Sequence, residues 1–160
     1  MRIAISGTPG TGKTEVARAL AKLLDADWKV VELNNLAEDK NLYCGYDEKR
    51  RCRIVDVDAV AREVGKTKGD FVLESHYAHD VQCDVIIILH CDSTELRERM
   101  ENKGWDRVKV EENLDAERMS VCLGEAMDSG RPVIEADTTN KGAKEVAREI
   151  GLSLKGLDLI

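Results

Sequence analysis

Along the chain, short apolar runs alternate with segments of helical period. The runs are Arg2 to Ser6 (RIAIS), Lys29 to Leu33 (KVVEL), Asp70 to Glu74 (DFVLE), Asp84 to Cys91 (DVIIILHC) and Pro132 to Ala136. DFVLE and DVIIILHC have uninterrupted apolar interiors, as strands covered on both faces of a parallel sheet do. Between the runs lie helical patterns. Lys13 to Leu24 carries a stripe of Val16, Ala17, Leu20, Leu23 and Leu24. A short helix is expected around Asn35 to Asp39, and another over Ala59 to Val64 ending near Gly65. Ser93 to Lys103 opens on a Ser-Thr-Glu cap signal and is closed by Gly104. Glu111 to Asp128 reads as one long helix, and Ala143 to Ile150 closes the chain. This alternation predicts βαβ units: an α/β, three-layer fold with a five-stranded parallel sheet. Lys40 to Arg53 holds aromatic and charged residues without a period and is expected to be a long surface loop, a class of segment that is commonly functional.

The length, 160 residues, fits one domain over 1–160, and 42% hydrophobic content can fill a core without staples. No apolar run approaches the roughly 18 residues of a membrane span, so no membrane contact is expected. Lys and Arg number 24 against 31 Asp and Glu, a net charge of −7, so the surface repels a phosphate backbone. Non-specific nucleic-acid binding is therefore not expected, whereas a basic protein partner is electrostatically easy. The five cysteines, Cys44, Cys52, Cys83, Cys91 and Cys122, contain no C-x-x-C pair and read as reduced thiols of a cytoplasmic protein. The chain enters its first strand with no signal-peptide pattern, which gives the same expectation.

Chemistry concentrates between the first strand and the first helix. Gly7-Thr8-Pro9-Gly10-Thr11-Gly12-Lys13-Thr14 is a complete G-x-x-x-x-G-K-T between a strand and a helix, so the expected α/β three-layer fold is of the P-loop NTPase kind, like that of a nucleoside monophosphate kinase. Its glycines let consecutive N–H groups turn toward phosphate oxygens, and the helix after it adds a positive N-terminal dipole. Gly10, Thr11, Gly12, Lys13, Thr14 and Glu15 are the expected nucleotide-contacting stretch. Lys13 would bridge β- and γ-phosphates, and the Thr14 hydroxyl would reach Mg²⁺. An acidic group at the end of a neighbouring strand should complete the magnesium shell. Glu74, Asp92, and Asp56 or Asp58 compete for that role; Glu74 is favoured because it ends a strong apolar strand, whereas Asp92 precedes a helix as a cap would. His76 follows Glu74 on the same side of an extended chain. His76, His79 and Cys83 could also form a metal cluster, but loop histidines are the preferred reading. A GTPase is disfavoured: in Asn140-Lys141-Gly142-Ala143, Ala143 stands where guanine recognition needs Asp. Small P-loop kinases add an acceptor region after the second strand and a basic lid. Residues 29–53 supply the first, and 102–112, around Lys103-Gly104-Trp105-Asp106-Arg107-Val108-Lys109, the second.

Beyond the P-loop, NLYCGYDEKRRCRIVDVDAV, ESH at Glu74 to His76, NKGWDRVKVEENLDAE and VIEADTT at Val133 to Thr139 resemble the atypical adenylate kinases of the isoenzyme 6 type. The resemblance spans nearly the whole chain. It implies transfer of the γ-phosphoryl group of ATP to AMP with Mg²⁺, accompanied by ATPase activity. It also implies a role in small ribosomal subunit maturation with a basic ribosomal protein partner of the uS11 type. Lys13, Glu74, His76 and Lys103 would be the catalytic set, Thr14 and Glu74 the metal-binding pair, and Lys103 and Thr138 further nucleotide contacts. Two positions depart from the family pattern: Glu74 for the usual Asp, and Lys103 for the commoner lid Arg, a point charge in place of a bidentate fork. An ATPase switch that grips a ribosomal protein, with incidental kinase activity, is the alternative. A third possibility keeps the P-loop fold and changes the acceptor.

Overall fold

In the computed structural model, which describes residues 1–160, the five apolar runs form one parallel sheet. Its strands are β1 (Arg2–Gly7), β2 (Lys29–Glu32), β5 (Phe71–Glu74), β6 (Val85–His90) and β7 (Val133–Asp137), in spatial order β2-β5-β1-β6-β7. β1 is central: it pairs with β5 from Arg2↔Phe71 to Ile5↔Glu74, and with β6 from Ile3↔Val85 to Gly7↔Leu89. The expected α/β three-layer fold with five parallel strands is the one observed.

Side chains alternate across the sheet, which assigns each to one of two cores. Ile3, Ile5, Val72, Val85, Ile87 and Leu89 pack against α1 (Lys13–Leu24) and α7 (Ala143–Gly156). Ala4, Leu73, Ile86 and Ile88 face the opposite way, against α2 (Leu33–Asp39), α3 (Val57–Gly65) and α6 (Val121–Asp128). Each fully buried Ile or Leu contributes roughly 1.5–3 kcal/mol by leaving water. A third, smaller cluster joins Leu96 and Met100 of α4 (Ser93–Asn102) to Val110 and Leu114 of α5 (Arg107–Arg118), with Trp105 over it. No helix is long and apolar enough to cross a membrane.

Two expectations about elements are corrected. Most of the stretch read as a loop is a hairpin, β3 (Tyr43–Asp47) and β4 (Cys52–Val55), antiparallel with Tyr46↔Arg53 and Asp47↔Cys52 in register. Its tip is closed by the Asp47 carboxylate accepting from the Arg50 N–H at 2.9 Å, and Arg51 takes φ 51°. Most of its side chains are exposed, so no in/out alternation marked it. The helix read over Glu111 to Asp128 is two: α5 starts earlier, at Arg107, and Ser120 turns left-handed (φ 51°, ψ 41°) before α6. α5 packs on α4 while α6 packs beneath β6, and one straight helix cannot do both.

Candidate active site

Open parallel sheets bind ligands at the carboxyl ends of their strands, and the G-x-x-x-x-G-K-T loop leaves β1 there. Gly7 exits the strand at φ 139°, and a Cβ on it would lie 2.5 Å from the Leu89 carbonyl oxygen, so only glycine fits beside β6. Gly12 (φ 90°) caps α1 with no side-chain bond. The first N–H groups of α1 are thus left for an anion, with the helix dipole behind them. Lys13 Nζ donates to the carbonyls of Gly7 (2.9 Å) and Thr8 (3.0 Å), across the mouth of the loop. Burial lowers its pKa to about 8, with Glu74 the largest opposing influence. Glu15 is exposed in the first turn of α1.

Glu74 ends β5 directly beside β1, and its Oε1 accepts from the Thr14 hydroxyl at 3.1 Å. Burial raises the Glu74 pKa, while Lys13 and Thr14 oppose the rise. A buried carboxylate next to a hydroxyl at a phosphate loop suits a hard cation that keeps several waters and takes its remaining ligands from phosphates. No group of three or more His, Cys, Asp or Glu residues is arranged to hold a metal by itself. His76 stands at the open rim of the same strand end. Surrounding protein and the Lys13 charge lower its pKa to about 4, so its imidazole is neutral at ordinary pH.

The remaining expected residues divide. His79 is fully internal: Nδ1 lies 2.7 Å from the Ser6 hydroxyl and Nε2 3.1 Å from Glu125, and Cys83 takes a contact from Arg131. These are fold contacts, in line with the loop-histidine reading. Asp92 caps α4, accepting from the N–H groups of Thr94 and Glu95, and Asp56 caps α3 through Ala59. Lys103 is exposed at the end of α4, with its Nζ 5.9 Å from the Trp105 ring centre; Lys109 Nζ lies 3.9 Å from the same ring, so the segment expected to be the lid presents two cations around one aromatic. Thr138 is buried. Its hydroxyl donates to the His90 carbonyl (2.9 Å), and Arg99 donates to its hydroxyl and carbonyl oxygens (3.1 and 2.9 Å). The protein therefore uses Thr138's own polar groups, and Arg99, whose guanidinium would lie 3.9 Å from a Cβ on Gly12, is the group that reaches the loop.

Three site residues were not singled out from the sequence: Arg99, His90 and Glu117. Glu117 sits on α5 and accepts from the Thr8 hydroxyl of the loop, from the Cys91 N–H (3.1 Å) and from His90 Nδ1 (3.2 Å). Burial alone would raise the Glu117 pKa; these hydrogen bonds outweigh it and hold the carboxyl below its ordinary value. The bond to Glu117 raises His90 in turn, and His90 Nε2 lies 3.2 Å from Glu135 without hydrogen-bond alignment. The signal for Glu117 was in the sequence: it lies three and seven residues after Leu114 and Val110, on the apolar stripe of α5.

Residues 3–120 match the family model described as AAA domain. Among curated relatives, a Methanosarcina acetivorans protein named "Putative adenylate kinase" is 35% identical, over 94% of this chain and 84% of its own. Namesakes from Natronomonas pharaonis (38%, over 98% and 91%) and Archaeoglobus fulgidus (36%, over 98% and 83%) match as fully. Among solved structures, a shikimate kinase from Acinetobacter baumannii in complex with shikimate aligns with a TM-score of 0.70 at 19% identity, over 99% of this chain and 95% of that one. A gluconokinase from Sinorhizobium meliloti aligns at 0.64 and 17%, over 98% and 92%. Those two likenesses identify the fold as that of the P-loop kinases. The chain thus belongs to the AAA-domain family and, within it, to the group of archaeal proteins that carry the adenylate kinase name.

Proposed function

We propose that this protein is an ATP:AMP phosphotransferase that works with Mg²⁺. The observation that carries the reading is the Thr14–Glu74 pair set beside Lys13 and the uncapped start of α1, a cradle for a metal-bound triphosphate. The names of the archaeal relatives support AMP as acceptor.

The chemistry is mostly positioning and charge neutralisation, because the transferring phosphoryl passes through a loose transition state. The loop N–H groups and Lys13 hold the β- and γ-oxygens, Lys13 turning from the loop carbonyls to the phosphates. Thr14 and Glu74 would hold the magnesium ion through their oxygens, and the ion would supply positive charge to offset that of the transferring phosphates. An AMP phosphate oxygen forms the new bond to the γ-phosphorus as the bond from that phosphorus to the β–γ bridging oxygen breaks, and both products are ADP. The neutral His76 imidazole orients the attacking side. Lys103 covers the migrating group when the lid, residues 102–112, closes over the acceptor region, residues 29–53, and excludes water.

The second reading is a cytoplasmic ATPase switch in small ribosomal subunit maturation that grips a basic ribosomal protein of the uS11 type. The net charge of −7 favours a basic partner. The test is ADP formation from Mg-ATP with AMP, CMP, GMP or no acceptor, with Lys13→Met as the blank. A rate that depends strongly on AMP supports the phosphotransferase. A rate indifferent to every monophosphate overturns it and leaves the ATPase, to be challenged with the basic protein.

A further inference from the structure

Among the buried ionisable groups that this mechanism does not use, Glu117 touches the phosphate loop. We propose that Glu117 is a positioning residue that ties the lid-bearing helix α5 to the loop through Thr8, so that lid position and readiness for Mg-ATP are coupled. The inference deepens the nucleotide-kinase reading and rests on it.

The carboxylate is oriented from several sides. Val110 and Leu114 bury the same face of α5, and the Glu117 side chain is 10% exposed. A carboxylate so placed is costly unless hydrogen-bonded, and this one is fixed by the Cys91 N–H, the His90 ring and the Thr8 hydroxyl. The Cys91 and His90 bonds tie it to the end of β6. The Thr8 bond reaches the loop.

Thr8 is the residue through which the effect reaches the phosphate ligands. Its carbonyl accepts from Lys13 Nζ (3.0 Å), from the Thr11 hydroxyl (2.9 Å) and from the Thr11 N–H (3.3 Å). One residue therefore separates the Glu117 carboxylate from the ammonium that must meet the γ-phosphate. At the other end, α5 begins at Arg107 inside the lid and ends at Arg118. At 1.5 Å per residue it is a rigid lever about 18 Å long, with lid residues on its first half and Glu117 on its last turn. A lid movement that rotates α5 shifts or breaks the bond to Thr8, and a loop reshaped by triphosphate pulls on α5.

A merely structural carboxylate would change melting temperature and leave nucleotide affinity alone. The experiment is a double-variant cycle on Mg-ATP affinity with Thr8→Val, which keeps the shape and loses the hydroxyl, Glu117→Ala, and both together. Each single variant is expected to weaken Mg-ATP about tenfold, equivalent to about 1.4 kcal/mol. The pair should be no weaker than the worse single, because both remove one bond. The KM for AMP should stay within about twofold of wild type in the folded variants. In a Trp28→Phe background, the Trp105 fluorescence change on saturating Mg-ATP should shrink in both singles. If Glu117→Ala does not fold, Thr8→Val still decides the matter: wild-type Mg-ATP affinity together with a full Trp105 response overturns the coupling. Additive losses in the cycle also overturn it. If the wild-type protein itself does not bind Mg-ATP, the nucleotide reading falls and the coupling falls with it.

Discussion

At Lys13, burial and charge oppose each other. The folded protein lowers its pKa to about 8 from an ordinary 10.5, so the folded state holds that proton less tightly than the unfolded chain does. The buried ammonium thus costs stability below pH 8, and the contribution improves as pH rises from about 8 toward 10.5. Lys13→Met is expected to lower turnover by orders of magnitude and yet melt at or above the wild-type temperature at pH 7. Near-wild-type turnover would remove Lys13 from the mechanism. His90 has the opposite sign. Its hydrogen bond to Glu117 raises its pKa, so the stabilisation is fully present below the unfolded value, about 6.5, and fades as pH rises through the raised folded value. The melting deficit of His90→Gln relative to wild type should be larger at pH 6 than at pH 8.5; equal deficits would show that the ring acts by packing alone.

Elements whose faces are buried were readable, and elements made by pairing were not. α1 announces itself by the stripe Val16, Ala17, Leu20, and β6 by an apolar interior, because each is covered by a core that demands those residues. The β3–β4 hairpin has no such demand: Cys44, Tyr46 and Ile54 are exposed, and the strands exist because each supplies the other's hydrogen bonds. The break at Ser120 was hidden for a related reason, since nothing local in Arg118–Val121 forbids a helix and the turn is imposed by what α5 and α6 pack upon. Of the caps, Asp92 was read as one from the sequence, whereas Asp56 was weighed only as an acid for magnesium and its capping of α3 emerged from the structure. Asp56 accepts from the Ala59 N–H at 2.9 Å, and Asp56→Ala is expected to cost about 1 kcal/mol, readable in urea denaturation. An unchanged midpoint would mean that water replaces the cap without loss.

For the whole molecule, the proposed mechanism requires residues 102–112 to come over the strand ends. Lys103 is exposed on that lid, so truncating it removes little packing. Lys103→Ala is expected to reduce turnover several-fold while shifting the melting temperature by no more than a degree or two; equal rates would reduce it to a surface charge. The chain by itself determined the phosphate loop, the alternation of strands and helices, the two sheet faces and the Glu74–His76 strand end. These are properties of single segments, where residue type and spacing answer directly to backbone geometry and burial. Only the tertiary structure decided the spatial order β2-β5-β1-β6-β7, the internal use of Thr138, the approach of Arg99 to the loop and the contact between Thr8 and Glu117. That last pair lies 109 residues apart. No local period encodes such a contact, because a buried carboxylate is tolerated only where folding supplies its donors.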